Sequence, residues 1–431
     1  MRVLVLGGYG LIGLEVCREL MRQGFAVTGL ARSETRGAKL LPGARWIGDD
    51  IARLTSPEDW APYLSGFDAV VNASGALQSG ARDRLGAVQR DAICALIAAS
   101  EQAGIADFIQ ISAPGAEPEA DTEFMATKGA ADQALRASSL RWVILKPGLV
   151  LSSAATGGTG LLRMLAAFPL VQPLVLGAAP VQCVDAGDVA AAAVRCLTDP
   201  ELAGRDYDLV EPRSHTLQEL ILAFRGWLGF ADPQLVIALP ESLGRALARL
   251  ADLAGWLGWR SPLRTTALKV MGGGVAGDPE PWRRATGLEL KGLPEILARL
   301  PSTLQERLYA RMKLVFPLLL IGLALFWLLS GLIGFWRYET AAGLISAQLG
   351  RPLALAAVMT GSLIDVLIGA GLLVQSLCRP AALAAMAVSL IYLAAGSFIT
   401  PDLWADPLGP LMKVIPGIGL ALVVAVMAEE R

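Results

Sequence analysis

The hydrophobic pattern of the chain opens on an unbroken apolar run, Val3 to Leu6, which breaks into glycines and then into helical spacing. A short continuous run of this kind predicts a central parallel strand covered on both faces. Gly7, Gly10 and Gly13 follow three apart, and a helix is expected from about Leu11 to Gln23. Such a start suits a pyrophosphate. The glycines permit a tight turn, a close backbone approach and close packing of helix on strand, while the helix turns its free N–H groups toward the anion. The strand before and the helix after make the glycine spacing informative.

The alternation of strand and helix continues, with strands expected at 25–31, about 46–50, 69–72, 108–112 and 142–147. This predicts an α/β domain built on a doubly wound parallel sheet. Candidate chemistry stands at the strand ends. Tyr9, Leu11 and Ile12 accompany Gly7, Gly10 and Gly13 as dinucleotide contacts. The second strand ends in Arg32-Ser33, with Arg36 close behind. At that distance from the glycines a carboxylate binds the ribose 2′-hydroxyl of NAD, whereas an arginine suits the 2′-phosphate of NADP. Arg32 therefore favours NADP(H), with NAD(H) the other choice; a solvated strand-end residue is the plain alternative. Asp49 and Asp50 close the third strand and would place a carboxylate near the adenine. Asn72, Ala73, Ser74 and Gly75 close the fourth with small groups that let the dinucleotide pass. Ser112 ends the fifth strand in a hydroxyl, and Pro147 turns the sixth toward the nicotinamide end.

A length of 431 residues suits two or three domains of about 150 residues. Charges are interspersed up to about residue 300 and long apolar stretches dominate beyond it. The mean hydropathy of +0.51 thus averages a soluble half and a membrane-like half. A net charge of −2 argues against a nucleic-acid partner, which would need a basic surface. The five cysteines (17, 94, 183, 196, 378) contain no close pair, so neither a zinc cluster nor a disulfide framework is suggested. His215, the single histidine, lies in a polar Arg-Ser-His-Thr turn. That excludes His-rich metal centres and speaks against a Ser-His-Asp triad. No signal peptide is read ahead of the first strand, so the first domain is expected in the cytosol.

The order Gly7-x-x-Gly-x-x-Gly13, Asp49, Asn72-Ala-x-Gly75, Ser112, Lys128, Lys146-Pro-Gly148 and Gln182-x-Val184-x-x-x-Asp188-Val189-Ala190 resembles an extended or atypical short-chain dehydrogenase/reductase. The resemblance covers residues 1–300. It implies an NAD(P)-binding Rossmann domain with a small substrate lobe assembled from about 150–185 and 210–300. Active members carry Tyr-x-x-x-Lys on one helix, a spacing that puts both side chains on one face; the lysine holds the nicotinamide ribose and lowers the phenol pKa. Here the stretch is Phe124-Met-Ala-Thr-Lys128. The phenol oxygen is missing and the lysine remains, its plain alternative being a solvent-facing helix residue. Ser112 and Lys128 are the candidate catalytic residues, with Thr127 nearby, and Phe124 stands at the place of the family tyrosine. This departure resembles the branch that includes the NADPH-holding accessory subunit of respiratory complex I.

Three further stretches lie in the expected lobe. Gly157-Gly-Thr-Gly160 reads as a flexible way into it, since no strand precedes these glycines. Residues 241–260 form an amphipathic helix with Leu243, Leu247, Leu250, Leu253 and Leu257 on one stripe. Packing inside the lobe is the plain role for that stripe, and contact with the bilayer surface, with Trp256 and Trp259 near its end, is the other. A closing helix is expected over 282–300.

After a linker at 301–313 the chain changes solvent. Leu314 to Trp336 carries no charge and is long enough to cross a hydrocarbon core of ~30 Å. Further spans are expected at 352–378, 380–400 and 410–428, giving a four-helix membrane bundle over 314–431. Four crossings return the C-terminus, with Glu429, Glu430 and Arg431, to the cytosolic side. Arg307, Arg311, Lys313 and Arg379 then lie on that side, and Arg337, Arg351 and Lys413 on the other. The helix count and Phe326-Trp-Leu-Leu-Ser330-Gly331 are similar to the DoxX-like membrane family. That resemblance implies a membrane quinone or lipid-like partner, and leaves an oligomer open. Asp365, inside the second span, is either a proton relay or quinone contact, or a carboxyl that ties neighbouring helices. Two functions follow for a multi-pass inner-membrane protein: an NADP(H)-dependent oxidoreductase or epimerase/isomerase acting on a membrane-associated substrate, or a non-catalytic NADP(H)-binding sensor, scaffold or assembly factor.

Overall fold

The computed structural model describes residues 1–76, 84–154, 157–259, 261 and 263–429. They form two compact units, Met1–Leu253 with Ser261–Ala310, and Ala254–Arg260 with Arg311–Arg431. Arg260, Glu430 and Arg431 lie outside the described residues.

The first unit is built on strands β1 (Arg2–Leu6), β2 (Ala26–Ala31), β3 (Arg45–Gly48), β4 (Ala69–Asn72), β5 (Asp107–Ile111) and β6 (Arg141–Pro147). Three short pairs come from β7 (Leu149–Leu151), β8 (Val171–Leu174), β9 (Pro180–Val181), β10 (Cys183–Asp185), β12 (His215–Thr216) and β13 (Leu235–Ala238), and β11 (Arg205–Leu209) joins the main sheet. The main sheet has the order β11-β6-β5-β4-β1-β2-β3, and every pairing in it is parallel. The observed strands match the expected ones to within a few residues at their ends. The strand order reverses between β1 and β4, which opens a crevice beyond their C-terminal ends.

Helices accompany the strands of this unit. They are α1 (Gly13–Arg22), α2 (Glu34–Leu40), α3 (Pro57–Leu64), α4 (Ala92–Gln102), α5 (Glu123–Arg136), α6 (Gly157–Ala166), α7 (Ala186–Thr198), α8 (Leu217–Trp227), α9 (Glu241–Trp256), α10 (Thr265–Gly272), α11 (Glu280–Thr286) and α12 (Leu293–Arg299). Of these, α1 and α7 cover one face of the main sheet, while α3, α4 and α5 cover the other. Side chains alternate along β1. Val3 and Val5 are buried with Val16 and Leu20 of α1 and Val189 and Ala193 of α7. Leu4 and Leu6 face Trp60 and Leu64 of α3 and Leu96 of α4. Each such side chain contributes about 1.5–3 kcal/mol through burial, which explains why the unbroken apolar run is needed.

Three expectations are corrected here. Residues 157–160 are not a flexible loop but the first turn of α6. Gly157 begins it at φ +54°, the Thr159 hydroxyl donates to Ala154 O at 2.9 Å, and burial of Leu162 and Ala166 outweighs the poor helix propensity of glycine. The closing helix is two short ones, α11 and α12, interrupted at Gly287, whose left-handed φ of +69° ends α11. In α9 the leucine stripe is not packed into the lobe. Gly244, Ala248 and Gly255 are buried, while Leu243, Leu247, Leu250 and Leu253 are exposed.

The second unit contains α13 (Leu304–Trp336, which begins in the first unit), α14 (Tyr338–Leu349), α15 (Arg351–Leu373), α16 (Cys378–Ile399) and α17 (Val414–Glu429). The expected linker is helical from Leu304 onward, because α13 runs unbroken for 33 residues. Helix α14 was not expected. By length and composition α13, α15 and α16 can cross a membrane, and Val414–Ala428 is a shorter apolar helix. The 16 residues of α17 rise about 24 Å at 1.5 Å each, less than a core of ~30 Å. Helix α13 approaches α15 through small residues: a Cβ on Gly331 would lie 2.5 Å from Ser362 O. Beside this contact Asp365 is buried and accepts from Ser330 Oγ at 2.8 Å and Tyr392 OH at 2.9 Å. It thus ties α15 to both α13 and α16. Asp365→Ala should lower the thermal stability of the detergent-solubilised chain by roughly 1 kcal/mol, since interhelical hydrogen bonds average about 0.6 each. An unchanged melting temperature would remove the tying role.

Candidate functional site

The crevice starts at Gly7. Its φ is +68°, and a Cβ there would lie 2.7 Å from Ala73 O and 2.9 Å from Ser74 Cα at the end of β4. Gly7 N donates to Leu30 O at 2.9 Å, and Gly10 N to Gly7 O at 2.7 Å. At Gly13 a Cβ would collide with Gly7 O, so helix and turn approach as closely as backbone allows. Ile12, at the N-cap of α1, has no side-chain acceptor to offer. Leu14 N turns back to Gly10 O at 3.1 Å, and no side chain caps the rest of this first turn, the arrangement in which a helix N-terminus receives an anion. These are features a pyrophosphate requires, and Gly7, Gly10, Leu11, Ile12 and Gly13 form one continuous turn.

Tyr9, Arg32, Arg36, Asp49 and Asp50 follow the C-terminal ends of β1, β2 and β3. The Arg36 guanidinium lies over the Tyr9 ring at 5.4 Å, and Tyr9 in turn meets Trp46 at 6.1 Å between ring centroids. Arg32 is exposed directly after β2. Asp49 N donates to Ala31 O at 3.0 Å, which holds the end of β3 against the end of β2. Asp49 also has a local partner, because the Tyr63 hydroxyl donates to its carboxylate and that bond pushes the phenol pKa up. Asp50 caps the short helical turn Ile51–Arg53 by accepting from Ala52 N at 3.2 Å.

At the other end Asn72, Ala73, Ser74 and Gly75 leave β4 in a fixed bend. Asn72 accepts from Ser74 N at 3.0 Å and Ser74 Oγ at 2.5 Å, and donates to Gln110 Oε1 at 2.8 Å. Lys128 is buried rather than solvent-facing, and its Nζ donates to Ile111 O at 2.8 Å. A Cβ on Gly75 would lie 3.8 Å from that Nζ and 3.1 Å from Gln89 Nε2. The lysine therefore reaches the bend over which a dinucleotide would pass. Phe124 keeps its ring 5.9 Å from Lys128 Nζ, and Thr127 is occupied, its one hydroxyl proton shared between Gln89 Oε1 and Glu123 O. Pro147 is buried at the end of β6, whereas Lys146 pairs with Asp206 at 2.9 Å.

Asp132 is the residue the sequence reading missed. It is fully buried and accepts from Ser112 Oγ. Burial pushes its carboxyl up to about 6, against the lowering effect of the Ser112 bond and the Lys128 charge. Burial likewise pushes the Lys128 ammonium down, with Asp132 opposing. A signal existed: Asp132 stands four residues beyond Lys128, on the same helical face. Gln110 stands two before Ser112 and shares its side of β5. Gln89 had no such signal. It comes from the π-helical turn Ala87–Asp91 at the start of α4, a distortion that often marks functional sites, and it donates to Ala76 O at 2.8 Å.

A cavity of about 650 Å³ between α7 and the 288–295 segment is lined by Asp188, Arg195, Glu211, His215, Trp282 and Lys291. None of the candidate cofactor residues lines it. His215 is buried there at 3.2 Å from Glu211, rather than in a solvated turn. Among the described residues no group of His, Cys, Asp and Glu could hold a metal ion.

Parallel sheet, glycine turn at the reversal point and a helix N-terminus without a side-chain cap define a dinucleotide-binding Rossmann domain. Residues 7–200 match the NAD(P)H-binding family and residues 324–422 the DoxX-like family. The chain belongs to the atypical short-chain dehydrogenases/reductases, as an NAD(P)H-binding domain followed by a DoxX-like domain. It is 26% identical to an NAD(P)H azoreductase of Xenophilus azovorans over 58% of this chain and 87% of that one. It is 31% identical to the photosystem II assembly factor Ycf39 of Synechocystis, over 51% and 66% of the two chains. It is 30% identical to a (4-alkanoyl-5-oxo-2,5-dihydrofuran-3-yl)methyl phosphate reductase of Streptomyces griseus, over 50% and 70%. A short-chain dehydrogenase/reductase superfamily protein from Agrobacterium tumefaciens, solved with NAD, shares the fold at a TM-score of 0.53 and 17% identity, over 74% and 99% of the chains.

Two measurements test this geometry. Lys128→Ala should weaken NADPH binding in titration calorimetry by about tenfold, the loss of one charged hydrogen bond of ~1.5 kcal/mol; an unchanged dissociation constant removes Lys128 from the site. Because the folded Asp132 value of about 6 exceeds the ordinary 3.8, the fold holds a proton that the unfolded chain has lost. The stability of the wild type relative to Asp132→Asn should therefore fall as pH rises through that interval and level off above it. A difference independent of pH in denaturant melts would mean that Asp132 does not titrate there.

Proposed function

We propose that the protein is an NADP(H)-dependent reductase of a membrane-associated substrate, with Ser112, Asp132 and Lys128 at its reacting end. The observation that supports this most strongly is the buried hydrogen bond from Ser112 to Asp132, one helical turn from Lys128. A domain that only held the dinucleotide would not need a carboxyl with a raised pKa next to a strand-end hydroxyl. In this reading Gly7, Tyr9, Gly10, Leu11, Ile12 and Gly13 cradle the pyrophosphate, and Arg32 and Arg36 receive the 2′-phosphate. Asp49 and Asp50 border the adenosine, Asn72 to Gly75 line the passage, and Pro147 closes the nicotinamide end. The nicotinamide supplies hydride when bound. The chain's own task is the proton. Ser112 delivers it to the substrate and recovers it from the Asp132 carboxyl, in place of the phenol absent at Phe124. Lys128 orients the ribose and holds the local charge balance.

The reductase names of two relatives support the same class, and the DoxX-like half supports a lipid-like or quinone substrate. In this reading the Rossmann domain faces the cytosol, and α17 acts as the fourth crossing. Phe124 favours a second reading, a non-catalytic NADP(H)-binding scaffold or assembly factor, which is also the role named for the Synechocystis relative.

The deciding experiment loads detergent-purified full chain with NADPH and adds membrane lipid extract or quinone while following nicotinamide absorbance. Oxidation that slows as pH rises above about 6, and loses that slope in Asp132→Asn, is expected. Arg32→Glu should shift the preference toward NADH. A cofactor that stays bound and reduced through the whole screen would overturn the reductase reading in favour of the scaffold.

A further inference from the structure

Helix α9 is amphipathic in an inverted sense. Its small residues face the protein: Gly244 and Ala248 are buried, and a Cβ on Gly244 would lie 2.6 Å from Val175 Cγ1. Its large ones face outward, with Leu243, Leu247, Leu250 and Leu253 being 42%, 49%, 62% and 64% exposed and Trp256 72% exposed. Four leucines displayed along 16 residues form an apolar stripe of a kind that soluble surfaces rarely leave uncovered. What covers it is indicated by where the helix ends. Residues 254–260 belong to the membrane unit. There the Trp259 indole donates to Leu373 O at 2.7 Å, at the last residue of α15, and its ring meets Phe316 of α13 at 6.2 Å. Gln375 N donates to Leu257 O at 2.9 Å. Phe316 follows Arg311 and Lys313 at the start of the uncharged stretch, so both partners of Trp259 lie where spanning helices meet the headgroups. That is the depth at which tryptophan is enriched.

We infer that α9 is an interfacial helix lying in the plane of the bilayer that α13, α15 and α16 cross, with its leucine stripe among the acyl chains and its small-residue stripe against the protein. The last turn of α9 and Trp259 themselves belong to the spanning unit, which makes the occupant lipid. The inference is independent of whether the Rossmann domain turns over a substrate. Its consequence is mechanical. The segment that follows β13 is pinned to the lipid surface, so the lobe it belongs to is presented to molecules dissolved there.

The test uses the full chain with Cys94→Ser, since the other four native cysteines are buried. Single cysteines replace Leu243, Arg245, Leu247, Arg249 and Leu250 in turn, all exposed positions. Each carries an environment-sensitive fluorophore. The proteins are reconstituted into phosphatidylcholine–phosphatidylglycerol vesicles with and without lipid bearing a nitroxide near the glycerol end of its acyl chain. Quenching with helical periodicity is expected, several-fold stronger and with bluer emission at 243, 247 and 250 than at 245 and 249. Water-like emission and equal, weak quenching at all five would overturn the inference. So would blue emission without lipid quenching, joined by disulfide cross-linking of Leu250→Cys between copies, which would assign the stripe to a second chain.

Discussion

The reversal of the sheet rests on contacts between backbones: Gly7 against the end of β4, and Gly13 against Gly7. No side chain fits at either position. Because β1 and β4 are the strands at which the sheet order reverses, this contact defines the floor of the crevice, and what surrounds the crevice is placed relative to it. The bend of Asn72 to Gly75 is clasped by Gln110 from the next strand, and Lys128 reaches that bend from α5. Loosening the turn by one methyl group would misplace the N-terminus of α1, which no side chain caps.

Charge burial governs the opposite end of the crevice. Ser112, Asp132 and Lys128 are removed from water together, which is expensive unless each satisfies another. Asp132 accepts from Ser112, and Lys128 donates to the carbonyl of Ile111. Burial, with one carboxylate oxygen of Asp132 left without a hydrogen bond, pushes that carboxyl up to about 6 against the pull of Ser112 and Lys128. In the proposed reaction the Asp132 carboxyl, reached through the Ser112 hydroxyl, takes the place of the phenol absent at Phe124. Phe124 itself still packs over Lys128, filling the volume the tyrosine ring would occupy.

The membrane half obeys another solvent. Without water to drive helix association, small residues and hydrogen bonds carry it. Gly331 admits α15, and Asp365 joins three helices through Ser330 and Tyr392. The outward leucines of α9 follow the same logic from the soluble side, where apolar groups turn away from the protein because lipid, not core, is their partner.

Local pattern was enough for the strands, the glycine turn, α1 and the first three spans, because period, glycine placement and uninterrupted apolar length are properties of contiguous residues. It also placed Lys128 and marked the missing phenol, since both are matters of spacing along one helix. What only the tertiary structure decided are relations between distant segments. Asp132 could be put on the face of Lys128, but not against Ser112, 20 residues earlier on another element. Gln89 was invisible because a distorted helical turn delivers it. Residues 157–160 became a helix because Leu162 and Ala166 are buried, overriding glycine's local preference. In α9 the periodicity revealed a leucine stripe, yet which stripe docks was settled by Val175, against which only a residue without a side chain could fit. A sequence specifies a helix and its two faces through local spacing, but the choice of which face is buried depends on the shape of the surface it meets.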